Sequence, residues 1–132
     1  SPPPVAPPDA DLMVIRRDTG TRAARRFVHD HAISAGMSEA RIDDLRMATH
    51  ELVVNTMLHS GGQGLLSIWT TETQIICQIQ DGGRIEDHLV GRRPPTPSEV
   101  GHGLYVVHQV CDLVRIHRRS GGTTVRIHID LT

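Results

Sequence analysis

Hydrophobic and polar residues change period several times along this chain, and the changes mark out its elements. DLMVIRR, from Asp11 to Arg17, reads as a short strand. Thr19 or Thr21 then caps a helix to about Ala35, with Ala23, Ala24, Phe27, Val28 and Ile33 as its buried stripe and Gly36 as its stop. Ser38 is a suitable N-cap for a second helix reaching about His59. Ile42, Leu45, Thr49, Leu52, Val53 and Thr56 line one side of it, and Met47, Ala48, Glu51, Val54, Asn55 and Leu58 another, so it reads as widely buried. LLSIWTT and QIICQIQ, joined at Glu72 and Thr73, form a β-hairpin that breaks at Asp81, Gly82 and Gly83. Residues 84 to 100 hold three prolines and no periodicity, and read as a long loop. GHGLYVVHQVCD opens a third helix with Leu104, Val107, Val110 and Cys111 inward, and LVRIHRR and TTVRIHIDL close the chain as two strands. In the last, Val125, Ile127, Ile129 and Leu131 alternate with Arg126, His128 and Asp130, as in a sheet buried on one face.

The order β-α-α-β-β-loop-α-β-β predicts an α/β (α+β) two-layer sandwich, a mixed, mostly antiparallel sheet with helices on one face, and excludes a doubly wound Rossmann sheet. Five prolines in the first eight residues make residues 1–9 a polyproline-like linker or tail, leaving 10–132 as the domain. Ser1 in place of an initiator methionine suggests a piece of a longer protein.

At 132 residues with 38% hydrophobic and 22% charged residues, the composition allows a single globular domain. A net charge of -1 gives no footprint for nucleic acid or an anionic membrane. With no long apolar run and no signal-peptide pattern, the chain reads as a soluble cytoplasmic protein. Cys77 and Cys111 lie in apolar stretches outside any C-x-x-C spacing and read as buried reduced thiols. The nine histidines form no H-x-x-x-H or Cys/His cluster, so a structural metal is not indicated. All 14 basic residues are arginine. The absence of lysine excludes a Walker P-loop, a kinase lysine and Schiff-base chemistry.

Four weak signals remain, and they occur in order. Glu51 and Asn55 are one helical turn apart and share a face; Asp81 and Gly83 end a strand as D-x-G; Gly101, Gly103 and Leu104 open a helix as G-x-G-L; and Gly122, Thr123 and Val125 stand as G-T-x-V in the last strand. Singly, they read as a wet helix edge, a turn and a glycine-rich helix start. An aspartate at a strand end can accept a hydrogen bond from an exocyclic amine, with glycine leaving room for a flat ring. Free amides at a helix start suit phosphate oxygens.

In this order the motifs resemble the GHKL ATPase/kinase superfamily with its Bergerat ATP-binding fold, over roughly residues 11 to 132. The resemblance is nearest to bacterial anti-sigma factor serine kinases. It implies an ATP-dependent protein-serine kinase acting by partner switching on a sigma factor or its antagonist, and it leaves a homodimer open. It implies ATP with Mg2+, Asp81, Gly83 and Thr123 at adenine, Gly101, Gly103 and Leu104 at the phosphates, Asn55 as magnesium ligand and Glu51 as catalytic base. His59 resembles a histidine that follows this helix in the subgroup; a capping or surface role suits it equally. The pattern departs at Ile85, where D-x-G-x-G would place a second glycine. Two other readings therefore stand: a non-catalytic, weakly nucleotide-binding interaction module, and the catalytic domain of a sensor histidine kinase.

Overall fold

In a computed structural model, the protein is described over residues 5–59, 63–81 and 102–132. Strands β1 (Asp11–Arg16), β2 (Gln63–Thr70), β3 (Gln74–Asp81), β4 (Leu113–Arg119) and β5 (Gly122–Asp130) form one sheet in the order β1-β2-β3-β5-β4. All four pairings are antiparallel. Helices α1 (Gly20–Ser34), α2 (Glu39–His59) and α3 (His102–Val110) make the second layer, with α2 packed between the other two. The predicted two-layer architecture is therefore present.

The core lies between the layers. Ile15, Leu66, Ile68, Ile75, Cys77, Ile79, Val125, Ile127 and Ile129 turn inward from the sheet and meet Ala24, Val28, Ala32, Leu45, Ala48, Leu52, Val53, Leu104 and Val107 from the helices. The α2 stripe is narrower than the sequence pattern suggests. Ile42, Leu45, Ala48, Thr49, Leu52, Val53 and Thr56 are buried, whereas Met47 and Leu58 face solvent, Leu58 at 69% exposure. These two lie about half a turn away from the stripe's centre at the helical period. The same correction applies in α1, where the buried set is Ala24, Val28 and Ala32, spaced four apart. Ala23 and Ile33 fall outside that line, and Ile33 is 58% exposed.

The helix boundaries follow local chemistry. The Thr19 side chain makes no capping bond to α1; its hydroxyl accepts the Arg16 N–H at 3.2 Å and closes the turn after β1. α1 stops at Gly36, whose φ of 74° suits only glycine at low cost. Gly36 N–H donates to the Ile33 carbonyl and Met37 N–H to the Ala32 carbonyl, which satisfies the last turn. At the start of α2 the Ser38 hydroxyl accepts the Arg41 N–H at 3.4 Å, as its N-cap position predicts.

Arg41 fixes the N-terminal end of α2 to the far end of the sheet. Its guanidinium donates to Asp44 Oδ2 at 2.7 Å, to the Asp130 carbonyl at 3.2 Å and to Asp112 Oδ2, which also accepts the Asp130 N–H at 2.8 Å. On the other flank, His31 ties α1 to the sheet, with Asp11 Oδ2 at 2.8 Å from Nδ1 and Thr70 Oγ1 at 2.8 Å from Nε2. A charged residue with several partners in one place sets where a helix sits more than it adds to stability.

Both cysteines are free, as expected. Burial pushes the Cys77 thiol up to about 12, against a lowering by the Thr49 hydroxyl. Burial, followed by the neighbouring Cys77, pushes Cys111 up to about 12.

Two predictions follow from this packing. Leu52→Ala empties a fully buried site and should lower unfolding free energy in urea by about 2–5 kcal/mol, whereas Leu58→Ala should stay within about 0.5 kcal/mol. At pH 8, a colorimetric thiol reagent should leave both cysteines unmodified in the native protein and titrate both in urea, since the thiolate is the reacting form.

Candidate functional site

Glu51 and Asn55 are half-buried on α2. By helical period they flank the buried stripe on the side of Ala48, one turn apart, so their side chains project along one edge of the helix. The next residue, Thr56, is buried, and its hydroxyl donates back to the Leu52 carbonyl at 3.1 Å. That bond satisfies the hydroxyl within the helix and leaves the methyl to face the sheet.

The methyl meets Gly64. A Cβ built on Gly64 would lie 2.9 Å from Thr56 Cγ2, 3.0 Å from the Gln80 carbonyl oxygen and 3.7 Å from Asp81 Cβ. The helix therefore comes down on the start of β2 where a side chain does not fit. Gly64 is the register partner of Asp81, and Asp81 is the register partner of Thr123 on β5. Asp81 is the last residue of β3 and half-buried, and Thr123 is buried. The last turns of α2 and the ends of β2, β3 and β5 thus meet at one corner of the sandwich. The contact brings Thr56, the residue after Asn55, to the corner where Asp81 and Thr123 pair, while Glu51 and Asn55 leave the same helix on another edge.

The third signal is described in part. Gly103 lies in the first turn of α3, and Leu104, the next residue, is buried in the core. Leu104 anchors the start of that helix, a packing role in addition to any contact with a ligand. Gly83, Gly101 and Ile85 lie outside the described residues, as does the whole loop between β3 and α3. Among the described residues, no group of three or more His, Cys, Asp or Glu side chains is placed to hold a metal. A single amide oxygen such as that of Asn55 suits magnesium held jointly with phosphate oxygens.

A profile of the histidine kinase-like ATPase domain family matches residues 16–129. The chain belongs to this family. Among solved structures, the chain is similar to the RsbU and RsbW domains of Rv1364c from Mycobacterium tuberculosis, at a TM-score of 0.71 and 16% identity. That match covers 95% of this chain and 34% of the other, so the chain spans about a third of that protein's length. It is also similar to the catalytic domain of histidine kinase ThkA in a nucleotide-free form (TM-score 0.56, 11% identity, 92% of this chain and 97% of that one). The Acinetobacter baumannii histidine kinase AdeS matches with a TM-score of 0.55 and 14% identity over 92% of this chain and 68% of its own. No curated protein matches the sequence at comparable significance. At these identities the structural likeness carries the fold, a GHKL-type ATPase fold, and the family carries nucleotide binding as its general property.

Gly64 and Thr56 had been assigned no site role from sequence, although a glycine inside a strand pattern marks a close backbone approach. Gly64→Ala should therefore cost about 1–3 kcal/mol in chemical denaturation by overpacking. Thr56→Ser removes the Cγ2 methyl, and in the Gly64→Ala background it should recover part of that loss. Simple additivity of the two substitutions would contradict this direct contact.

Proposed function

We propose that this domain is an ATP-dependent protein-serine kinase of the anti-sigma type, switching a partner protein by phosphorylation. The supporting observation is the half-buried Glu51–Asn55 edge on the helix whose Thr56 seats on Gly64, the register partner of Asp81, itself paired with Thr123. Asp81 would accept the adenine amine with Thr123 beside it and Gly83 leaving room for the ring. Gly101, Gly103 and Leu104 would present helix-start amides to the phosphates. Asn55 would supply its side-chain oxygen to Mg2+, which neutralises developing charge on the phosphates. Glu51, one turn earlier, would accept the proton of the substrate serine as its oxygen bonds to the γ-phosphorus and ADP departs.

The partner would be a sigma factor or the antagonist of an anti-sigma factor, in the cytoplasm. The RsbW domain in the similar Mycobacterium tuberculosis chain supports the class, as does the carboxylate at position 51. No helix among the described residues is long and apolar enough to cross a membrane. Ile85 favours a second reading, a domain that binds a partner with weak nucleotide affinity and no transfer.

Calorimetric titration with Mg-ATP separates the two. Asn55→Ala should weaken Mg-ATP binding about tenfold or more, and Asp81→Asn should reduce the preference for ATP over GTP. Glu51→Ala should still bind ATP while radiolabel transfer to a candidate antagonist falls by about 100-fold or more. Absence of binding at millimolar ATP with the partner present favours the interaction module. Undiminished transfer by Glu51→Ala removes the assigned base.

A further inference from the structure

On the face of the sheet turned away from the helices, exposed apolar residues gather at the β1–β2 end, and two arginines meet at the β5–β4 end beside an exposed Leu113. At the β1–β2 end, Val14 stands opposite Leu65 and Leu12 opposite Ser67. Leu12, Val14 and Leu65 are exposed by 59%, 48% and 36%. At the β5–β4 end, Arg115 is the direct register partner of Arg126. Like charges placed directly opposite on a sheet repel, and neither arginine has an ion pair among the described residues.

The partners of Arg126 are neutral. Its Nε donates to Gln78 Oε1 at 2.8 Å, its Cζ lies 5.0 Å from the Trp69 ring centroid, and one Nη donates to the Val5 carbonyl at 3.2 Å. Burial and the neighbouring Arg115 hold it below the usual arginine range. His128, next on this face, is lowered by burial, then by Arg126 and Arg115. The carboxylate nearest along β5, Asp130, accepts from the Gln74 amide at 2.9 Å. Arg115 itself is exposed. Cationic charge is thus concentrated without a carboxylate partner among the described residues, in a chain whose total is -1.

We infer that this sheet face docks an acidic, amphipathic segment of a partner protein, its carboxylates over Arg115 and Arg126 and its apolar side chains over Leu12, Val14 and Leu65. A carboxylate replacing the Val5 carbonyl at Arg126 exchanges a neutral hydrogen bond for a stronger charge-assisted one. The two ends of the face are three strand spacings apart, about 14 Å, which a helix of roughly ten residues spans when it lies across the strands and displaces the stretch at Val5 that bonds Arg126. Single-stranded nucleic acid fits poorly. Its platforms need several stacking aromatics, and the chain has one tryptophan, one tyrosine and one phenylalanine. The surface is separate from the corner that holds Glu51, Asn55 and Asp81, so the inference holds whether or not that corner turns over nucleotide.

The test is fluorescence anisotropy of the whole chain with a labelled helical peptide of about twelve residues, leucine-rich at one end and glutamate-rich at the other. Binding should weaken with salt, and Arg115→Glu should reduce affinity about tenfold while Mg-ATP titration is unchanged. Leu12→Ser should weaken it independently, which covers the case in which a charge reversal disturbs the sheet. The inference is overturned by absent binding, or by equal affinity for the same peptide with glutamine in place of glutamate. Tighter binding of a single-stranded oligonucleotide, or concentration-dependent self-association that masks the face, also overturns it.

Discussion

The closeness of α2 to the sheet depends on one missing side chain. Gly64 lets the Thr56 methyl reach the β2 backbone beside the Gln80 carbonyl and Asp81, and any Cβ there would push helix and strand apart. Arg41 secures the opposite end of the same helix through Asp44, Asp112 and the Asp130 carbonyl. A helix of 21 residues held at both ends over a packed stripe has little freedom to rotate or slide. Consequently the angle at which Glu51 and Asn55 leave the helix is set by contacts on its other side. A site needing sub-ångström placement is better held by a helix fixed in this way than by a loop.

Much of the architecture was legible because the elements use strong local signals. The alternation of Ile75, Cys77 and Ile79 in β3 and of Val125, Ile127 and Ile129 in β5, a glycine with positive φ at the end of α1 and a serine cap before α2 are all found where the pattern puts them. The misplaced residues have a common cause. Met47, Leu58, Ala23 and Ile33 are apolar, and sequence pattern assigns apolar residues to a face without knowing how wide that face is. Width is a tertiary quantity, fixed by how closely α1 and α3 approach α2, and the approach here leaves room for one stripe on each helix.

The candidate site was legible for the same reason in reverse. Glu51 and Asn55 interrupt an otherwise apolar helix, where burying a polar group without a partner costs free energy, and Asp81 ends a strand as the first residue of D-x-G. Thr56 and Gly64 gave no such signal. A threonine on a buried stripe and a glycine in a strand each have ordinary uses, and only their contact distance makes them partners. The register of Asp81 with Thr123 is likewise absent from local pattern, since strands separated by more than 40 residues pair according to sheet order; only the family resemblance had put the two residues at one site.

The two faces of this sheet answer to different constraints. The inner face must be apolar and closely packed, because it supports the helix that carries the candidate catalytic edge. On the outer face, Ser67, Gln78 and Thr124 are buried, Arg126 lies over Trp69, and the Val5 carbonyl accepts from Arg126. That face is therefore partly covered by the chain itself, yet apolar side chains remain exposed at one end and Arg115 with Leu113 at the other. A sheet serving only as the floor of a nucleotide pocket would be stabilised by an acid opposite Arg115 and polar residues at Leu12 and Val14. The chain has neither, and an interaction made outside the folded domain is the physical account that explains both departures together.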